Sequence, residues 1–108
     1  MELADVTGAV AVLKGHQTLT AAPGGTVWVN STGNPGMAVG GMGDILSGMI
    51  GSFLGQGLEP VKAAVLGVYL HGLAADLAAQ KTGPIALLPR DLIESLPAAF
   101  AALNEEER

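Results

Sequence analysis

A chain of 108 residues, 49 % of them apolar and only 14 % charged, makes one domain at most and carries less charge than the usual quarter. Its formal charge of −5 argues against a nucleic-acid partner, which calls for a basic patch. The absence of cysteine excludes disulfides and thiolate metal sites. Such a composition suits a piece whose faces are covered, either by more of the same fold or by a partner subunit.

The start of the chain lacks a basic segment followed by an apolar one, so no signal peptide is expected and a cytoplasmic location is the default. The most membrane-like stretch is Val61 to Ala79. Lys62, His71 and Asp76 interrupt it, each expensive in a bilayer, so the expectation is a buried helix and no membrane partner.

Ala9-Val10-Ala11-Val12-Leu13 is a continuous apolar run, which predicts a strand buried on both faces of a parallel sheet. Lys14-Gly15 ends it. Ligands of open parallel sheets gather at strand C-termini, which places Lys14 well for a phosphate or a ribose; a solvated lysine in a turn is the other reading. Thr18 to Ala22 and Thr26 to Asn30 alternate polar and apolar residues around Pro23-Gly24-Gly25, the pattern of a β-hairpin. Trp28 is expected to pack against its neighbours rather than to stack on a ligand.

Five glycines stand among the first eleven residues of Gly33-Asn34-Pro35-Gly36-Met37-Ala38-Val39-Gly40-Gly41-Met42-Gly43, and Asp44 then opens an apolar stripe, Ile45, Leu46, Met49, Ile50, Phe53 and Leu54, at helical spacing. A glycine loop feeding a helix presents N–H groups without intrahelical partners at the positive end of the dipole, an anion site. Asp44 is the anomaly there. By residue type it is an N-cap; a carboxylate beside a phosphate also serves if it binds a metal or takes a proton from a hydroxyl. The many small residues on this helix, Gly48, Gly51 and Gly55 among them, predict close approach to a strand or another helix, and Gly57 closes it.

Leu58-Glu59-Pro60 punctuates the chain, and Val61 to about Thr82 reads as a long buried helix. His71 inside it reads as a core histidine with its ring nitrogens satisfied. A metal shared by His71 and Asp76 is disfavoured, because positions five apart do not share a helix face. Gly83-Pro84 stops the helix. A last one runs from Pro89 to Leu103, with Asp91 and Glu94 suiting its N-terminal half and Pro97 expected to bend or split it.

Lys14-Gly15-His16-Gln17-Thr18, Gly33-Asn34-Pro35-Gly36-Met37-Ala38, Gly40 to Gly48, Leu70-His71-Gly72-Leu73-Ala74-Ala75-Asp76 and Pro89-Arg90-Asp91-Leu92-Ile93 together resemble the C-terminal part of the ADP/ATP-dependent NAD(P)H-hydrate dehydratases. These are repair enzymes of the ribokinase-like superfamily. Only Gly-x-Gly-Asp recurs in the wider superfamily; the Gly-Asn-Pro-Gly-Met-Ala lead-in points to the dehydratases.

The resemblance implies an α/β fold, the C-terminal portion of a ribokinase-like three-layer sandwich. Residues 1–108 would then be a partial domain, with the segment that carries most of the hydrated-nicotinamide pocket lying upstream. It implies Asp44 as general base and substrate contact, and Gly41, Met42 and Gly43 as holders of the transferring phosphoryl. Lys14, Gly15, His16, Gln17 and Thr18 would border the nucleotide, and Asn34 would fix the loop or contact substrate. ADP or ATP would be co-substrate, with Mg2+ accompanying it and no metal site of the chain's own. Met42 departs from the family, where threonine is commoner between the glycines, so the N–H survives but a hydroxyl contact does not. The expected partners are a small-molecule substrate, hydrated NADH or NADPH, and either further copies of the chain or the missing N-terminal portion. A small-molecule kinase of the superfamily, and a non-catalytic piece of the dehydratase, are the two rival readings.

Overall fold

The computed structural model describes residues 10–13, 18–37 and 40–106. Three short strands, β1 (Ala11–Leu13), β2 (Leu19–Ala21) and β3 (Val27–Val29), lie in the order β1-β2-β3 with both pairings antiparallel. Val12 stands opposite Thr20, and Thr20 opposite Trp28. The pairing seen for β1 is thus with β2, and it is antiparallel. Only residues 14–18 separate it from β2, whereas a parallel crossover needs a dozen or more residues.

The hairpin is as its alternation predicts. Gly24 and Gly25 adopt φ of 99° and 96°, a region open to glycine. The Ala22 N–H donates to the Thr26 carbonyl at 3.0 Å, and the Asn30 N–H to the Thr18 carbonyl at 2.9 Å. Thr20 and Ala21 are buried, while all three residues of β3 are exposed. Trp28 is therefore no core residue: it is 37 % exposed.

Three helices follow: α1 (Met42–Gly55), α2 (Pro60–Thr82) and α3 (Pro89–Glu106). The end of α1 is closed by Gly57 at φ 94°. Its N–H donates to the Leu54 carbonyl and that of Leu58 to the Phe53 carbonyl, the paired bonds of a Schellman ending. Pro60 opens α2 at a position where no N–H is needed.

The helix α2 lies between α1 and α3 and packs on both. It is long and apolar enough to span a bilayer, yet 56 % of its most apolar window is buried within the fold. The core joins Met42 and Phe53 of α1, Ala63, Leu70, Ala74, Ala75 and Ala78 of α2, and Leu87, Leu92 and Ala99. Phe53 meets Phe100 edge-on at 6.3 Å between centroids. Pro97 does not split α3. It is exposed, so the carbonyl one turn earlier, at the 52 % exposed Ile93, loses its helical partner where water replaces it.

The close approach expected of the α1 glycines occurs elsewhere. A Cβ at Gly48, Gly51 or Gly55 would meet nothing within 4 Å. A Cβ on Gly67 of α2 would lie 2.7 Å from Ile50 Cγ1, and one on Gly72 would lie 2.8 Å from the backbone carbon of Thr32. The two kinds of position predict opposite signs. Gly48→Ala in this chain should gain the helix-propensity difference, about 1 kcal/mol. In Gly72→Ala that gain is outweighed by overpacking, typically about 1–3 kcal/mol, because a backbone atom cannot swing aside. Urea unfolding of both variants checks this; a Gly72→Ala protein as stable as the parent would refute the packing argument.

Candidate functional site

Both glycine loops are fastened to a single stretch of α2. Approaching from the hairpin, Asn30 Nδ2 donates to the Thr32 hydroxyl at 3.0 Å and to the Val68 carbonyl at 3.4 Å. The Thr32 hydroxyl donates to the Tyr69 carbonyl at 2.8 Å, in the space that the missing side chain of Gly72 leaves open. One turn further along α2, Asp76 receives the Gly33 N–H on Oδ2 and Asn34 Nδ2 on Oδ1, each at 2.9 Å. Asn34 Oδ1 accepts the Gly36 N–H at 3.0 Å, and a 3-10 turn over Pro35–Met37 completes the loop.

The second loop enters α1. Gly41, at φ 95°, takes the N-cap position with no side-chain cap. The conformation favours glycine, and a Cβ there would also come to 3.3 Å from Pro89 Cγ, a tight contact. Met42, Gly43 and Asp44 are then the first three helical residues. Their N–H groups precede the first intrahelical bond, in which the Ile45 N–H donates to the Gly41 carbonyl, so they have no intrahelical partner. The N-cap reading of Asp44 is thereby corrected, because the cap falls on Gly41 and Asp44 follows three residues later. Its side chain is exposed, without a hydrogen bond among the described residues. The loop is also held from the buried side. His71, 4 % exposed, donates from Nε2 to the Met42 carbonyl at 2.9 Å.

Of the residues the sequence singles out, Gly41, Met42, Gly43 and Asp44 stand together at the head of α1. Asn34 sits in the neighbouring loop with its amide turned to Asp76 and Gly36. Thr18 lies at the foot of the hairpin, joined through Asn30 to α2. Lys14, Gly15, His16 and Gln17 lie outside the described residues. His71 and Asp76 each serve a different loop. Sequence reasoning missed Asn30, Thr32 and Asp76 as supports. The available signal was a polar residue inside an otherwise apolar helix.

An open apolar groove of about 720 Å³ lies elsewhere, bounded by Trp28 and Val29 of β3, Val61, Val65 and Tyr69 of α2, and Leu103. It contains none of the loop glycines nor Asp44.

The family model described as NAD(P)H-hydrate dehydratase matches residues 1–98. The chain belongs to that family. It is 51 % identical over 98 residues to a bifunctional NAD(P)H-hydrate repair enzyme of Moorella thermoacetica, covering 91 % of this chain and 18 % of that enzyme. A crystal structure of the ADP/ATP-dependent NAD(P)H-hydrate dehydratase of Bacillus subtilis, co-crystallized with ATP and Mg2+, superposes with a TM-score of 0.83 at 40 % identity. That match covers 94 % of this chain and 38 % of the Bacillus chain. A ribokinase-like superfamily protein of Enterococcus faecalis matches with a TM-score of 0.69 at 39 % identity, over 84 % of this chain and 31 % of its own. The fold is thus the ribokinase-like α/β class. The chain spans well under half the length of these dehydratase-family relatives.

The His71 contact carries a prediction. His71→Ala leaves a buried gap and removes a hydrogen bond from the head of α1, at a combined cost of about 1–3 kcal/mol. A denaturant titration should show that loss. An unchanged midpoint would mean that the imidazole does not support the loop.

Proposed function

We propose that the protein carrying these residues returns hydrated NADH or NADPH to the reduced dinucleotide, with ADP or ATP as phosphoryl donor. The observation that carries this is the head of α1, where an exposed carboxylate, without a hydrogen bond among the described residues, follows a glycine-capped turn whose N–H groups have no intrahelical partner. Family membership supports it.

A hydroxyl on a hydrated nicotinamide ring is a poor leaving group. Phosphorylation converts it into a good one, and elimination of phosphate restores the ring double bond. Asp44 accepts the hydroxyl proton as the oxygen attacks the nucleotide's terminal phosphorus and the bridging P–O bond breaks to release AMP from ADP, or ADP from ATP; this is general-base catalysis. The N–H groups of Gly41, Met42 and Gly43 hold the transferring phosphoryl where its negative charge concentrates, and they are fixed before the reaction begins. Lys14, Gly15, His16, Gln17 and Thr18 border the nucleotide. Among the described residues no cluster of three or more His, Cys, Asp or Glu side chains could hold a metal. Magnesium, when bound with the nucleotide, would offset the charge of its phosphate oxygens.

The hydrated-nicotinamide pocket falls largely outside these 108 residues on this reading, which makes them a partial domain. Strand β3, with Val27, Trp28 and Val29 all exposed beside an apolar groove, supports association with further copies or with the rest of the domain, since large apolar patches mark contact surfaces. A cytoplasmic setting fits a reaction on a dinucleotide coenzyme.

Asp44→Asn in the intact enzyme should retain nucleotide binding and lose turnover by about 10²–10⁴-fold, the usual effect of removing a general base. Recovery of NADH absorbance with ADP and magnesium measures it, and a rate within threefold of the parent would remove Asp44 from the chemistry. If the intact enzyme instead yields a stable phosphate ester, the kinase reading replaces this one. Lys14→Ala should raise the nucleotide KM with little change in kcat, the signature of a contact equal in ground and transition states. An unchanged KM would take Lys14 out of the nucleotide site.

A further inference from the structure

We infer that Asn34 and Asp76 form a matched donor–acceptor pair that sets the shape of the 33–36 loop, and that they act on nucleotide binding as positioning residues rather than as ligands. The inference rests on the reading of the α1 head as the phosphoryl site.

The hydrogen bonds run in one direction. The Gly36 N–H donates to Asn34 Oδ1, Asn34 Nδ2 donates to Asp76 Oδ1, and the Gly33 N–H donates to Asp76 Oδ2. Only an amide at position 34 offers an acceptor to one side and a donor to the other, and only a carboxylate at position 76 accepts from both. The arrangement supplies what the loop lacks by itself. Gly33 sits at φ 113°, and glycine has no conformational preference that would hold that turn in place. Asp76 bonds the N–H of Gly33 and the side chain of the next residue, so it fixes both sides of the turn from a rigid helix.

The same geometry opposes a direct ligand role for either side chain. The Asn34 amide is engaged at both ends. To reach a phosphate, Nδ2 would have to leave a carboxylate 2.9 Å away, and that carboxylate would repel the incoming anion. The 33–36 loop precedes Gly40-Gly41-Met42-Gly43 by only three residues in the chain. On the proposed reading, its exit direction bears on where the N–H groups at the head of α1 stand.

A reciprocal exchange tests the pair. Asp76→Asn alone sets a donor against a donor at one of the three bonds, whichever way the amides turn. Asn34→Asp alone sets two carboxylates face to face. The double variant Asn34→Asp with Asp76→Asn restores all three bonds and leaves the net charge unchanged. In the full chain, each single variant should speed hydrogen exchange at the Gly33 and Gly36 amides at least tenfold and weaken ADP binding at least tenfold. The double variant should return both to within threefold of the parent.

Singles that exchange and bind like the parent would overturn the pair. A double variant no better than the worse single, or one that fails to fold, would overturn it as well, because the two side chains would then be acting separately. If the parent chain binds no ADP, the phosphoryl-site reading fails on its own, while the exchange rates still decide whether the pair holds the loop.

Discussion

The arrangement of this chain turns on one missing side chain, that of Gly72. Its absence lets Thr32 lie against the backbone of α2, close enough for the threonine hydroxyl to reach the Tyr69 carbonyl at 2.8 Å. Asn30 and Asp76 can then act from either side of the same contact. Without that approach the segment between the hairpin and α1 would have only its own local preferences, and a run so rich in glycine has few. The loop is ordered by the helix beneath it.

This explains why polar groups stand in the most apolar helix of the chain. His71 and Asp76 point to different loops: His71 bonds the Met42 carbonyl in the first turn of α1, and Asp76 accepts the Gly33 N–H, which lies outside any regular element. Burying a polar group costs free energy unless it is hydrogen-bonded, and His71 meets that condition through the Met42 carbonyl. The result is a helix head whose N–H groups face outward from a base pinned on its inner side. Preorganised N–H donors stabilise developing charge because they need not reorient during the reaction. The alanines on α2 contribute in a simpler way, since small side chains let α1 and α3 pack closely on either side of it.

The outer faces are less complete. Strand β3 is exposed along its length, the groove beside it is apolar, and the small-residue face of α1 meets nothing among the described residues. These are the surfaces expected of a chain with a charged fraction of 14 %. They are also consistent with a segment that spans 38 % of the Bacillus dehydratase chain on which it superposes.

The sequence by itself determined the helices, the hairpin and the place of the glycine loop, because each rests on local chemistry. Alternation made β2 and β3, Gly57 and Gly83 ended α1 and α2, and the glycine run followed by an apolar stripe marked the head of α1. The resemblance in Gly33 to Ala38 and Gly40 to Gly48 named the family that the comparisons found. The tertiary structure decided which way β1 pairs, since an apolar run does not record the direction of its neighbour. It moved the helix cap from Asp44 to Gly41, a difference that depends on one backbone φ. It placed the close contacts at Gly67 and Gly72 rather than at the glycines of α1, because a glycine's use depends on what packs against it. It also assigned Asp76 to the Gly33-Asn34 turn, a contact between residues 42 and 43 positions apart in the chain. No local pattern encodes such a pairing; it exists only once α2 has folded beneath the loop.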